Sequence, residues 1–67
     1  MVRAKFQVSS VSETSVILYP VTCGSEENDK FFELTPSGQI QLSTVNPDAI
    51  KQFEAGKEFY VDFTPAD

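Results

Sequence analysis

Hydrophobic and polar residues alternate strictly in two stretches of the chain, residues 2–9 and residues 58–63. A period of two, with many β-branched and aromatic residues, is typical of a β-strand that buries one face and leaves the other in water. Both stretches are therefore predicted strands. The side chains predicted to face the core are Val2, Ala4, Phe6, Val8, Phe59, Val61 and Phe63.

Three shorter apolar stretches predict further strands. Residues 16–21 (VILYPV) are apolar on both faces, which is typical of a central strand or of one that a helix covers. Residues 31–34 (FFEL) and residues 39–44 each predict a short strand, and in the second Ile40 and Leu42 face inward. The PSG tripeptide between them matches a type I turn, so these two strands are predicted to form a hairpin.

The remaining segments predict one loop and one helix. Residues 22–30 (TCGSEENDK) are polar and contain a glycine, so we expect a surface loop. Asn46 followed by Pro47 is a strong helix start, because asparagine caps free backbone amides and proline at the first helical position loses no hydrogen bond. A helix is predicted at about 47–55, and Gly56 is predicted to end it in a left-handed conformation.

The predicted element order is β-β-β-β-α-β, which indicates a mainly β fold forming a single small domain over residues 1–67. Five short strands with one short helix are typical of a small bent sheet or a partly closed barrel. Barrels of the SH3 type place a helical turn between their last two strands, whereas OB barrels place a helix between the third and fourth. By analogy alone, the order is closer to an SH3-like than to an OB-like barrel.

Composition limits how so small a domain can be stabilised. The chain has 67 residues, one cysteine and no histidine. An intrachain disulfide is therefore excluded, and the usual ligands of a structural metal are missing. Of the usual ways to stabilise a domain with a thin core, self-association is the one that remains possible.

The distribution of charge argues against nucleic acid as a partner. The net charge is −5, with a balance of +1 over residues 1–24 and −6 over residues 25–67. Binding to a phosphate backbone needs clustered positive charge, whereas an acidic chain suits solubility or a basic protein partner. The sequence also shows no apolar run of membrane-spanning length and no signal peptide, so we expect no membrane association and a cytoplasmic setting.

The side-chain chemistry favours binding over catalysis. Cys23 has no histidine to act as its base, so nucleophilic catalysis is not supported. Glu26, Glu27 and Asp29 lack the spacing of a calcium loop, so a solvated acidic loop is favoured over a cation site. The glycines are isolated and form no phosphate-binding motif. We therefore expect no enzymatic activity, no cofactor and no metal.

Three features predict a protein-binding site. The acidic run suits a basic surface. The two phenylalanines that follow it would face opposite sides of a strand, so one lies outside the core unless a helix or another subunit covers it. The last strand carries a tyrosine on its outer face, and exposed aromatic residues suit recognition. The predicted partner-binding residues are Glu26, Glu27, Asp29, Phe31, Phe32 and Tyr60.

Five motifs occur in order along the chain: GSEEN, FF, TPSGQIQLS, NPDAI and GKEFYVDFTPAD. With them the sequence resembles a group of short proteins encoded by tailed bacteriophages and prophages. Members of that group begin MRAKF, carry a SEEN…F…TPSG centre and end NP…F.PGK.YYVDFTPA, so the resemblance covers most of the chain. These motifs form turns, a helix cap and a strand, and the resemblance implies a phage origin and a bacterial host cytoplasm more than an activity.

Three functional hypotheses remain. The leading one is an accessory protein that binds and blocks a bacterial host protein, as anti-defence inhibitors do. The second is a virion or assembly component that self-associates through strand edges. The third is an oligomeric sponge that sequesters a signalling nucleotide, with Arg3 and Lys5 meeting across a symmetric interface.

Overall fold

The computed structural model describes residues 2–32 and 36–67. Within them the strands form one antiparallel sheet with the order β3-β2-β1-β4, which curls into a half-barrel. The expected class, a mainly β fold with a bent and partly closed sheet, is confirmed. The elements are β1 (Val2–Val11), β2 (Val16–Pro20), α1 (Glu26–Phe31), β3 (Ile40–Leu42), α2 (Pro47–Ile50) and β4 (Glu58–Phe63).

The two central strands, β1 and β2, carry most of the core. They pair along the whole of β2, with a bulge between Val8 and Ser10. The turn that joins them is closed by the Ser12 amide, which donates to the Ser15 carbonyl at 2.8 Å. The prediction of a central strand beginning at Val16 is confirmed. The buried hydrophobic residues are Ala4, Phe6, Val8, Val16, Leu18 and Ile50.

The segment predicted as a surface loop at 22–30 contains the helix α1, so that prediction is wrong. Ser25 is the N-cap, and its Oγ accepts a hydrogen bond from the Asn28 amide at 3.2 Å. Three acidic residues lie in the first turn, where negative charge complements the helix dipole, and Lys30 lies in the last turn. The polar run is thus a helix-capping pattern rather than a solvated loop.

Asn28 attaches α1 to the sheet and is only 1% exposed. Its Oδ1 accepts a hydrogen bond from the Lys5 amide at 2.6 Å. Its Nδ2 donates to the carbonyl oxygens of Lys5 and Val21 at 2.8 and 2.7 Å. The carboxamide therefore acts as an extra peptide group between β1 and the chain just beyond β2, and satisfying these backbone groups explains why a polar residue is buried here.

The strand predicted at 31–34 is wrong at its first two residues. Phe31 is the last residue of α1, and Phe32 follows as its C-cap. Residues 33–35 lie outside the described residues, so the rest of that strand and its predicted hairpin are not described. β3 is shorter than predicted and pairs with β2.

α2 begins where the sequence predicts but is shorter than expected. Asn46 caps it, since its Oδ1 accepts a hydrogen bond from the Asp48 amide at 2.8 Å. Beyond Ile50 the chain tightens into a three-residue turn, in which the Phe53 amide donates to the Ile50 carbonyl at 3.0 Å. This turn brings the Phe53 ring to 5.0 Å from the Phe59 ring. The helix therefore ends where the chain turns to pack Phe53 against β4.

Gly56 has the left-handed conformation that the sequence predicts, with φ of +90°. Its role differs from the predicted helix stop, because its amide donates to the Val8 carbonyl at 2.9 Å. The glycine thus forms the turn that leads into β4 alongside β1. β4 itself has the predicted bounds of 58–63.

Three residues predicted to be buried in the core are exposed: Val2, Leu42 and Phe63. Val2 and Phe63 lie opposite each other at the end of the β1–β4 ladder. Leu42 ends the edge strand β3. Their alternation places them on the core side, but all three lie at strand ends, where fewer neighbouring side chains cover them.

Candidate protein-binding surface

Three exposed hydrophobic residues meet at one end of the sheet, which we call the aromatic end: Val2, Phe31 and Phe63. The β1–β4 register sets Val2 opposite Phe63, and α1 adds Phe31. The rings of Phe31 and Phe63 stack with 5.8 Å between their centroids and 13° between their planes. Phe31 is 40% exposed, so this stacked pair presents apolar area to solvent. Clustered, exposed aromatic residues are typical of protein interaction sites.

The aromatic end rests on Phe32. The rings of Phe31 and Phe32 meet edge to face with 4.9 Å between their centroids, and Phe32 packs against the core. Of the two predicted phenylalanines, Phe32 is therefore the one that supports the core and Phe31 is the exposed one. Phe31 and Phe32 differ in exposure because α1 ends between them, and not because they lie on opposite faces of a strand. Together with the Asn28 anchor, Phe32 fixes the position of Phe31.

An ion pair borders the aromatic end. The Arg3 Nε and Nη2 atoms donate to Asp62 Oδ1 and Oδ2 at 2.6 and 3.0 Å. This hydrogen bonding raises the pKa of Arg3 above its ordinary value and lowers the pKa of Asp62. Both side chains are exposed, so we expect the pair to orient its two members more than to stabilise the fold.

Of the three predicted acidic residues, Glu27 lines the shallow pocket beside Val2 and Phe31. Hydrogen bonds from its own backbone amide and from the Ser25 hydroxyl lower the pKa of Glu27, and nearby Lys5 and Arg3 act in the same direction. The carboxylate is therefore ionised and held in place. Glu26 and Asp29 are exposed on the helix.

Tyr60 points to the outer face of the sheet, as the alternation predicts, and is exposed. The Arg3 Cζ atom lies 4.8 Å and the Lys5 Nζ atom 5.3 Å from the centre of its ring, within the range of cation–π contact. Lys5 Nζ is also 3.8 Å from Glu58 Oε1. Tyr60 thus belongs to a charged outer face, and the structure does not bring it together with Phe31.

Sequence reasoning misses Val2, Phe63 and Asp62 as members of the aromatic end and its border, and it assigns Arg3 to a nucleotide-binding interface instead. Val2 and Phe63 alternate in phase with the core, so the pattern assigns them to the interior. Their positions as first and last residues of strands are the available signal, since strand ends have fewer neighbours to cover them. The pairing of Arg3 with Asp62 depends on the β1–β4 register, which the sequence alone does not specify.

The described surface offers apolar contact area and oriented charges. Across residues 2–32 and 36–67, no three Cys, Asp or Glu side chains are grouped so that they could hold a metal ion. The helices in the same part of the chain are too short to cross a membrane. Comparison of the chain with protein-family models, with curated proteins and with solved structures found no match.

Proposed function

We propose that this chain is a non-enzymatic binding protein that attaches to another protein through the aromatic end. The observation that carries the proposal is the exposed, stacked pair of Phe31 and Phe63. The cores of protein interfaces are enriched in aromatic residues, phenylalanine among them. Phe32 and Asn28 hold Phe31 in position before binding, so little conformational entropy is lost when a partner docks.

The chemistry of the partner follows from the aromatic end and its border. An apolar pocket would receive the two stacked rings. The border carries both signs of charge, with Arg3 and Lys30 beside Glu27 at one pocket and Asp62 near Phe63. We therefore propose a partner with an apolar pocket and a rim of mixed charge, rather than the purely basic surface that the acidic run predicts.

The resemblance to short phage proteins leads us to propose a bacterial host protein as this partner. In the host cytoplasm, the chain would cover a functional surface of that protein and block its activity, as an anti-defence inhibitor does. Steric blocking needs a rigid scaffold with an exposed anchor and no catalytic residues, which suits a small sheet with an aromatic end.

A nucleotide sponge is less well supported. It requires Arg3 and Lys5 as phosphate-binding cations, yet these side chains lie 2.6 and 3.8 Å from carboxylate oxygens of Asp62 and Glu58. Cations that neighbouring carboxylates already neutralise attract a phosphate less strongly. We therefore propose a protein as the partner.

Capture from host lysate with the Phe31→Ala variant tests the proposal. The wild-type chain is expected to retain a specific protein, and Phe31→Ala to bind that protein, once purified, about 30-fold more weakly, the effect of losing an interface anchor. Tyr19→Ala is the matched control, because Tyr19 is 45% exposed and lies on β2, outside the aromatic end. It should bind as the wild type does.

Two results would contradict the proposal. If Phe31→Ala and Tyr19→Ala both bind the captured protein as tightly as the wild type, the aromatic end is not the binding surface. If the purified partner keeps its full activity when saturated with the chain, the chain does not act by blocking it. Circular dichroism of both variants shows whether the fold is retained.

A further inference from the structure

A second apolar surface lies on the inner face of the sheet. It is a groove of about 430 Å³ bordered by the edge strands β3 and β4. Leu42 is 41% exposed, and most of the other hydrophobic residues here are half-buried. The groove is lined by Leu18, Ile40, Leu42, Phe53, Phe59 and Val61, and Tyr60 and Asp62 of β4 also line it.

The shape of the chain shows that this side can accept another layer. Its extents are 34 × 31 × 15 Å, so it is a slab with one thin dimension. Its radius of gyration is 12.5 Å, whereas a compact chain of this length has about 11 Å. Stable domains usually pack two layers of secondary structure around their core.

The chain as a whole exposes more area than a compact monomer of its mass. The accessible surface is 4967 Å² for a mass of 7.4 kDa, whereas a monomeric protein of this mass exposes about 4,200 Å². The excess of about 760 Å² is close to the roughly 800 Å² that each partner contributes to a standard protein interface.

The groove carries little of the charge of the chain. Each copy has a net charge of −5, so two copies repel each other, and this repulsion is smallest when the charged side chains lie away from the contact. Among the described residues that line the groove, Asp62 alone is charged, and Arg3 holds its carboxylate. The groove is therefore a surface on which two acidic copies can approach.

We propose that a second copy of this chain covers the groove. A two-fold axis would place the groove of one copy on the groove of the other, so that each supplies the open side of its partner's half-barrel. The two sheets would then pack face to face at about 10 Å, as in a β-sandwich. The groove and the border of the aromatic end share Asp62, but the groove contains neither Phe31 nor Phe63, so self-association and partner binding can be tested with separate variants.

Sedimentation equilibrium of the full chain tests the proposal. Between about 1 μM and about 1 mM, the mass should rise from 7.4 kDa towards twice that value. Leu42→Asp should keep the monomer mass over the same range, because the two-fold axis would desolvate the new charge in both copies. Val11→Asp is the matched control, since Val11 is a strand residue of similar exposure, 38%, that does not line the groove.

A second variant changes the same residue without adding a charge. Leu42→Gln should weaken dimerisation by about tenfold or more while keeping the far-ultraviolet spectrum of the wild type. The proposal is overturned by a wild-type chain that stays monomeric at the highest concentration, or by a dimer that both Leu42 variants leave intact. A monomeric chain that still captures its partner through Phe31 would refute the dimer and leave the proposed function standing.

Discussion

The two central strands and the two edge strands share one apolar face of the sheet but bury it to different extents. Leu18 on β2 is 3% exposed, whereas Leu42 on the neighbouring edge strand is 41% exposed. Phe6 on β1 is buried, whereas Phe59, directly opposite it on β4, is only half-buried. Residues of similar chemistry on the same face therefore have different surroundings.

This difference shows that the burial of a side chain depends on two separate factors, which a sequence pattern does not distinguish. Alternation decides the face to which a side chain points, whereas the neighbouring strands and helices decide whether that side chain is buried. Within residues 2–32 and 36–67, β1 and β2 have a strand on each side, and β3 and β4 have one. The central strands thus hold the fold together, whereas the apolar area that we assign to binding lies on the edge strands, on α1 and at the exposed start of β1.

Truncating Leu18 and truncating Leu42 should show the largest difference in stability loss between a central strand and an edge strand. Leu18→Ala is expected to lower the free energy of unfolding by about 2–5 kcal/mol, because it removes buried methyl groups and leaves a cavity. Leu42→Ala is expected to lower it by less than about 1 kcal/mol in the monomer, where that side chain is already partly hydrated. Urea denaturation of dilute protein measures both, and equal losses would contradict the difference between the regions.

Removing Asn28 should destabilise the central region next most strongly. Asn28→Ala leaves the Lys5 amide and the Val21 carbonyl without the carboxamide, which we expect to cost about 2–3 kcal/mol. Asp29→Ala, an exposed position on the same helix, is the control and should change stability by less than about 0.5 kcal/mol. Faster hydrogen exchange of the Lys5 amide in Asn28→Ala alone would confirm the cause. A variant as stable as Asp29→Ala would show that Asn28 does not anchor α1.

The two helix caps should differ in a smaller but measurable way. Ser25 is a buried cap that also donates to Glu27, so Ser25→Ala should cost about 1–2 kcal/mol. Asn46 is an exposed cap of the short helix at the edge of the sheet, so Asn46→Ala should cost about 0.5–1 kcal/mol. Thermal denaturation of the two variants shows which one loses more stability. A larger loss for Asn46→Ala than for Ser25→Ala would contradict the view that α1 is held more firmly than α2.

Low pH should remove the contribution of the Arg3–Asp62 pair to stability, which is the smallest of the effects considered. The hydrogen bond from Arg3 lowers the pKa of Asp62 in the folded chain. The contribution of the pair is therefore fully present above the ordinary aspartate pKa of about 3.9 and is lost as the pH falls through the lower folded value. The melting temperatures of wild type and Asp62→Asn should differ slightly near neutral pH and converge in acid. A difference that stays constant down to strongly acidic pH would show that the ion pair does not cause it.

Much of the sheet could be predicted from the sequence, because alternation with a period of two is a local property. The bounds of β4 and the start of α2 at Asn46 and Pro47 follow from it and from capping chemistry. α1 could not be predicted in this way. Its polar residues are compatible with a loop, and Asn28 becomes buried only through bonds to Lys5 and Val21, which lie 23 and 7 positions away.

The candidate site could be predicted only in part. Adjacent phenylalanines at 31 and 32 indicate that one of them is exposed, and the structure identifies Phe31. Its neighbour Phe63 could not be found, because their contact depends on where α1 packs against β1 and on the β1–β4 register. Alternation predicts that Tyr60 points outward, as it does in the structure, but only the register shows that Arg3 and Lys5 flank it.

Solvent paramagnetic relaxation of the leucine methyl groups tests the difference between the two regions most directly. With a soluble nitroxide and dilute protein, the Leu42 methyl groups should relax strongly and those of Leu18 weakly, since one side chain is exposed and the other buried. At concentrations where sedimentation detects the dimer, Leu42 should become protected while Leu18 stays unchanged. Equal protection of Leu18 and Leu42 in the dilute monomer would contradict an apolar edge region that is open to binding.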